Sequence, residues 1–460
     1  MKQIDFKNGS VFWNIVQTSI PMLVAQMLNL LYSIVDRVYI GRIPEVGTAA
    51  LGGVGLCFPV IILITGFTNL YGLGGAPLCS IERGRGSRET AEQIMNVSAF
   101  LLVCTAVFLT VAGELFCTPL LRLFGAGSEN IGYAVPYLRI YLLGTLFSML
   151  ATGLNPFINA QGYAGVGMTT VVIGAVANII LDPIFIFALG LGVRGAALAT
   201  ILSQTLSAVF VLRFLTRLTT ELKLRFLSPR DFFKKHLRTA GNIISLGTAA
   251  FIMQCTNSLV SICCNRMLSV TGGAESAVYI SVMTIISSVR QLLDTPVLAN
   301  GEGTSPVISY NYGAGRYERV RRAILIMTAA GVSYTAVMWV FVLLKPELFI
   351  LLFTSDKSIL TRAVPALHLY FFAFVFQALQ ISGQTTFKAL NKKRQAIFFS
   401  IFRKVIIVVP LTLLLPGVFG MGPKGVFMAE PISNFVGGSA CFATMLYTVL
   451  PELKRMEGRS

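Results

Sequence analysis

Six carboxylates of this chain stand inside long apolar runs: Asp36, Glu114, Asp182, Asp294, Glu302 and Glu430. A charge in hydrocarbon is expensive, so each is a candidate for chemistry. Asp36 lies in NLLYSIVDRVYIG and Asp182 in ANIILDPIFIF. Asn178 precedes Asp182 by four residues, which puts both on one helical face. Pro183 follows directly and has no N–H to donate, so a backbone carbonyl loses its partner. Two acids, one amide and free carbonyls are oxygen ligands suited to a proton or a small cation. The competing reading is that Asp36 pairs with Arg37 or Arg42 at the membrane surface. Glu114 stands near the end of its run, where solvation alone explains it.

A second polar set consists of Arg290, Asp294, Glu302, Arg403, Lys404 and Glu430. Arg290 and Asp294 are spaced to pair along one helix. Arg403 and Lys404 are adjacent, so they are expected to point in different directions and to need separate partners. The set reads as a structural ion-pair network or as a polar wall in contact with substrate. Burying an unpaired Arg costs at least a few kcal/mol, so Arg403 is expected to meet Glu430 or Asp294.

No catalytic constellation accompanies these groups. His236 and His368 are the only histidines and lie far apart. No phosphate-binding G-x-x-x-x-G-K-[ST] motif is present. GLGVRG (190–195) and GMGPKG (420–425) match a dinucleotide fingerprint, but each links two apolar segments and follows no strand. Both read as tight hairpins that need glycine. The eight cysteines lack metal-ligand spacing and read as small buried hydrophobes. No cofactor, no metal site beyond a coupling cation and no enzymatic activity are expected.

The elements that position these residues are membrane helices. The chain is 55% hydrophobic and only 12% charged, against about 25% charged in soluble domains. Twelve apolar segments are long enough to span a bilayer, near 14–40, 49–81, 94–117, 134–160, 166–189, 194–217, 241–268, 276–310, 322–345, 363–389, 394–416 and 424–449. The first 13 residues are polar and the first apolar run is too long for a signal h-region, so no cleavable signal peptide is expected. Sorting the loop Lys and Arg residues by side gives 24 on the side of the termini and 7 on the other. Both termini are therefore expected in the cytoplasm. The same rule accounts for the net charge of +17 without a nucleic-acid partner.

The two halves repeat one another. GLGGAPLCSIERGRGSRE (72–89) lies on GEGTSPVISYNYGAGRYE (301–318) at an offset of 229. GLGVRGAALATILSQ (190–204) lies on GMGPKGVFMAEPISN (420–434) at 230, and Gln26, Asn29 and Ser33 lie on Gln254, Asn257 and Ser261 at 228. The expected fold is an all-α polytopic membrane protein with twelve transmembrane helices in two six-helix bundles. An even helix count per half relates the bundles by a pseudo-two-fold axis along the membrane normal. The expected division is 1–217 for the first bundle, 218–240 for a cytoplasmic linker and 241–460 for the second. Within the linker, SPRDFFKKHLR is expected to form a short helix on the lipid surface. The Gly/Pro segments at 72–77 and 301–306 are expected to let their helices bend. By this offset Asp36 corresponds to Cys264 and Asp182 to Thr412, so only the first half keeps the acids. Arg403, Lys404 and Glu430 stand where the first half has Ile173, Gly174 and Thr200.

Together these motifs resemble the multidrug and toxic compound extrusion (MATE) family, in the bacterial branch that includes the DinF-like and MepA-like proteins. The resemblance covers nearly the whole chain. It rests on PMLVAQMLNLLYSIVDRVYIGR, the repeated Gly/Pro/Ser segments, NPFINAQG (155–162), ANIILDP (177–183) and RGAALAT (194–200). It implies a coupling-ion site in the first bundle made by Asp36, Tyr137, Asn155, Asn178, Asp182 and Thr200. It further implies an antiporter in the bacterial inner membrane, driven by H+ or Na+, that exports small organic compounds; a monomer is expected, although no sequence feature sets the oligomeric state. Some members carry essential acids on helices 7 and 10, and here 241–268 and 363–389 contain neither Asp nor Glu. The alternatives are a lipid-linked oligosaccharide flippase of the same superfamily and an integral-membrane enzyme. A flippase often has more helices and a more strongly cationic cavity. An enzyme would need a clustered catalytic set, which is not seen.

Overall fold

A computed structural model of the chain describes residues 3–44, 46–125, 127, 130–217, 221–225, 227–354 and 357–458. Of the expected linker, 218–220 and 226 lie outside the described residues, as do the terminal charges Lys2 and Arg459. Lipid offers the backbone no hydrogen-bond partners, so apolar runs of this length wind into helices. Among the described residues ten helices are long and apolar enough to span a membrane, and two bent pairs bring the number to twelve. In order they are α1 Val11–Gly41, α2 Ala49–Gly84, α3 Arg88–Leu123, α4 Ile131–Leu143 with Thr145–Ala160, α5 Ala164–Ala188 and α6 Gly192–Leu215. Then follow α7 Pro229–Thr271, α8 Gly273–Gly313, α9 Tyr317–Leu344, α10 Lys357–Phe371 with Phe374–Ala389, α11 Lys393–Gly417 and α12 Pro423–Glu457. The fold is all-α and polytopic, and the helix count matches the twelve apolar segments. The fourth helix of each half is the bent one, by 56° in α4 and 45° in α10.

Contacts divide the chain into two compact units. The first holds Met1–Asp5 and Pro21–Phe251, the second Phe6–Ile20 and Ile252–Ser460. The first ten residues of α1 therefore pack in the second unit, and the first half of α7 packs in the first. Glycines explain both placements. In the first unit a Cβ on Gly74 would lie 2.4 Å from the Ile243 carbonyl oxygen and 2.9 Å from Gly247 Cα. In the second unit a Cβ on Gly303 would lie 2.6 Å from Ser19 Cα. Gly74 and Gly303 are repeat partners, and so are Gly247 and Ser19. The Gly/Pro segments thus serve close helix approach, and the helix runs unbroken through both.

The hairpins behave as expected. Gly190 and Gly420 have φ of +64° and +66°, and Gly192 and Gly422 have +55° and +58°. Only glycine adopts such angles without strain.

The described part of the linker lies against the first unit. The backbone N–H groups of Leu222, Lys223 and Arg225 donate to Gln161, Glu92 and Asn96. Its SPRDFFKKHLR segment does not form the separate surface helix expected. Pro229 starts a helix that continues without interruption into α7. No proline or glycine follows before Gly241, and Phe232 is buried in a stack on Phe100 of α3 at 4.3 Å. Burying that ring fixes the segment to the unit and leaves nothing to stop the helix. The cysteines also differ from expectation. Five are buried, Cys255 and Cys263 are half-buried and Cys104 is exposed. An apolar thiol facing outward from a membrane helix meets lipid, so burial is not required of it.

Candidate functional site

The first site is built on α1, α4, α5 and α6 of the first unit. Pro183 cannot donate to the carbonyl one turn back. The helix answers by switching to wider i→i+5 winding over Ile184–Ala188, immediately after Asp182. Asp182 is fully buried and Asn178 nearly so. Asn178 Nδ2 donates to Asp182 Oδ1 at 3.1 Å and to Thr200 Oγ1 at 3.5 Å. Thr200 in turn donates to the Ala196 carbonyl at 3.0 Å.

Asp36 reaches the same place from α1. Its carboxyl comes near enough to that of Asp182 for the two charges to act on one another. Two carboxylates have no hydrogen to share, and Asp36 Oδ1, Asp182 Oδ2 and Asn178 Oδ1 are all buried with no protein donor. Such a donor set suits a proton or a small hard cation. Among the described residues Arg37 makes no salt bridge to Asp36, although its charge acts on that carboxyl, and its guanidinium sits over the Phe58 ring at 4.6 Å. Tyr137 on α4 is buried, and the charge of Asp36 acts on its hydroxyl and on that of Tyr32. Tyr32 was not among the sequence candidates, although its i−4 spacing from Asp36 was a signal.

Asn155 does not join this group. Its Nδ2 donates to the Gly167 carbonyl at 2.9 Å, and its Oδ1 accepts from Asn159 at 3.3 Å. Gly167 and Asn178 are eleven residues apart on α5, or about 16 Å along the helix. Glu114 is not simply solvated, because its Oε2 lies 3.7 Å from Arg139 Nε.

The second site lies wholly in the second unit. Glu430 Oε1 lies 2.6 Å from Arg290 Nη1, 2.7 Å from Arg403 Nη2 and 2.9 Å from Lys404 Nζ. Arg290 Nε donates to Asp294 Oδ2 at 3.0 Å and its Nη1 to the Tyr370 hydroxyl at 2.8 Å. Arg403 Nη1 donates to Gln377 Oε1 at 2.7 Å, and Gln377 Nε2 to Asp294 Oδ2 at 3.4 Å. Tyr370 and Gln377 sit on the two arms of the bent α10, and the sequence reading missed both. Each is an ordinary residue type inside an apolar run, so no signal marked them.

The expectation that Arg403 and Lys404 need separate partners is wrong. Both lie in an i→i+5 stretch, Phe402–Val408, where each residue turns through a smaller angle than in an α-helix. Their long stems then converge on one oxygen. Glu302 stands apart, eight residues beyond Asp294 on α8, and its charge acts on Lys388.

The profile of the MatE family matches this chain twice, over residues 21–184 and 249–414. The chain belongs to the MATE family. The two matches begin and end 228 and 230 residues apart, the offset of the internal repeat. Relatives of this MATE chain include the multidrug export protein MepA of Staphylococcus haemolyticus, 24% identical over 420 residues, covering 90% of this chain and 89% of that protein. MepA of Staphylococcus aureus is 23% identical over 418 residues, covering 90% of each. Among solved structures, an outward-facing multidrug resistance MATE family transporter of the MOP superfamily superposes with a TM-score of 0.89 at 24% identity, over 100% of this chain and 99% of that one. A MOP superfamily transporter from Pyrococcus furiosus, whose binding pocket is described as having reverse polarity, gives 0.89 at 24%, over 99% of both chains.

Proposed function

We propose that this MATE chain is an antiporter that exports small organic compounds, including drugs, by alternating access, driven by entry of H+ or Na+. The observation that carries the reading is the facing carboxyl pair, Asp36 and Asp182, with Asn178 bridging Asp182 to Thr200. The relatives named as multidrug export proteins support the substrate class.

The physical step is charge compensation. Two bare carboxylates at about 4 Å repel by about 4 kcal/mol at an effective dielectric of about 20. That repulsion biases a two-state equilibrium by roughly three decades. A proton shared between the acids, or a Na+ ion among Asp36, Asn178, Asp182 and Thr200, removes it and lets α1 close on α5. Loss of the ion inside opens the pair again. Transport follows when the two states differ in substrate affinity. In this reading the first bundle is the coupling half, the protein is a monomer in a bacterial inner membrane, and both termini lie in the cytoplasm, a placement that the Lys and Arg distribution supports.

The test is efflux from proteoliposomes in which a proton gradient and a Na+ gradient are imposed separately. Export that follows one gradient and is lost in Asp36→Asn and Asp182→Asn supports the reading. Export indifferent to both gradients refutes it.

A further inference from the structure

The cluster in the second unit does not balance. Arg290, Arg403 and Lys404 face Asp294 and Glu430, three cations against two carboxylates. Arg403, Lys404, Asp294 and Glu430 are all buried. Unmatched charge in hydrocarbon is costly, so the surplus must be matched or discharged. An arginine does not lose its proton in a protein, whereas a lysine does. Lys404 is therefore the one cation of the three that can discharge. Among the described residues its Nζ donates one hydrogen bond, to Glu430 Oε1, and a neutral amine can still donate that bond, though more weakly. With Lys404 neutral, two guanidinium groups face two carboxylates.

Comparison of the repeats marks the place as built. Lys404 stands at the position of Gly174, whose missing Cβ makes room for Ser207 Oγ in the first unit. Ser207 in turn corresponds to Gly437, where a Cβ would lie 3.0 Å from Arg403 Cγ. The small residue has changed sides, and the space it opens in the second unit holds the arginine stem. Glu430 stands at the position of Thr200, the cation-site hydroxyl of the first unit. Cys264 and Thr412, the counterparts of Asp36 and Asp182, border the cluster, and the charges of Lys404 and Glu430 act on Cys264. The ionisable groups around Lys404 are Arg403 on its own helix, Glu430 on α12, Arg290 and Asp294 on α8, Tyr370 on α10 and Cys264 on α7.

We infer that Lys404 is a second proton-binding site of this protein, in which a lysine beside a fixed carboxylate does what the paired carboxylates do in the first unit. The inference rests on the antiport reading for its use in the cycle, since two proton sites, one per unit, would then load and unload with the transport states. The proton on Lys404 itself is independent of that reading and can be counted without transport.

The experiment is potentiometric titration of the full-length protein in detergent, for wild type, Lys404→Met and Lys404→Arg, each also in an Asp36→Asn background. Wild type is expected to exchange one more proton per chain across the neutral range than either variant, and the difference is expected to survive Asp36→Asn. Should Lys404→Met fail to fold, Lys404→Arg gives the same comparison, because arginine stays charged throughout. Titrations of wild type and both variants that superimpose overturn the proposal. So does a thermal stability that depends on chloride in wild type and not in Lys404→Met, because a bound anion would then balance a permanently charged lysine. Loss of gradient-driven efflux in Asp36→Asn with the extra proton intact separates failure at the first site from failure at the second.

Discussion

Cys264 and Thr412 face each other in the second unit, at the repeat positions that Asp36 and Asp182 hold in the first. The duplicated scaffold has kept the juxtaposition and changed the chemistry. Thr412 is fully buried, and its hydroxyl makes no regular hydrogen bond among the described residues, its polar neighbour being the Cys264 thiol. Replacing such a buried hydroxyl by a methyl of the same shape costs little. Thr412→Val is therefore expected to change stability by less than about 1 kcal/mol and to leave gradient-driven efflux near the wild-type rate. A severalfold loss of efflux would show that the second pair acts in coupling.

Glu430 should behave very differently. One of its oxygens serves Arg290, Arg403 and Lys404, so Glu430→Gln leaves at least the two guanidinium groups facing a neutral amide. Removing one partner of a buried ion pair typically costs about 3–5 kcal/mol. The expected outcome is a thermal inactivation midpoint several degrees below wild type, measured in detergent by size-exclusion survival. A midpoint unchanged from wild type would mean that the cluster is not charged in the way drawn.

The close approaches make a steric prediction. Gly74→Ala forces a methyl to within 2.4 Å of the Ile243 carbonyl oxygen, where backbone must move. Overpacking of that kind costs about 1–3 kcal/mol. Gly55→Ala, with nothing within 4 Å, serves as the control and is expected to be neutral. Equal stability of the two variants would argue against the packing of α7 on α2.

Much of this was legible in the sequence, for physical reasons. A bilayer forces apolar runs into helices, so hydropathy located the twelve spans. Charged residues survive in such runs only for cause, which singled out Asp36, Asp182 and Glu430. Asn178 followed from its i,i+4 spacing to Asp182. What remained hidden depends on neighbours or winding. Nothing in the residue types at 402–408 announces an i→i+5 turn, so the shared oxygen of Arg403 and Lys404 was not foreseen. Asn155 carries a motif match, yet its amide is used by Gly167 three turns from Asn178. Apolar pattern also does not say which helix a span packs against, so the placement of Val11–Ile20 with the second unit was invisible until Gly303 and Ser19 met.

The central claim is that Asp36 and Asp182 form one cation-binding pair that drives export. It is tested most directly by drug efflux from proteoliposomes under an imposed inward cation gradient, comparing wild type with Asp36→Asn at equal reconstitution. The account predicts gradient-driven efflux in wild type and its loss in Asp36→Asn, with the variant still folded and still binding substrate. Efflux by Asp36→Asn at the wild-type rate under the same gradient would contradict it.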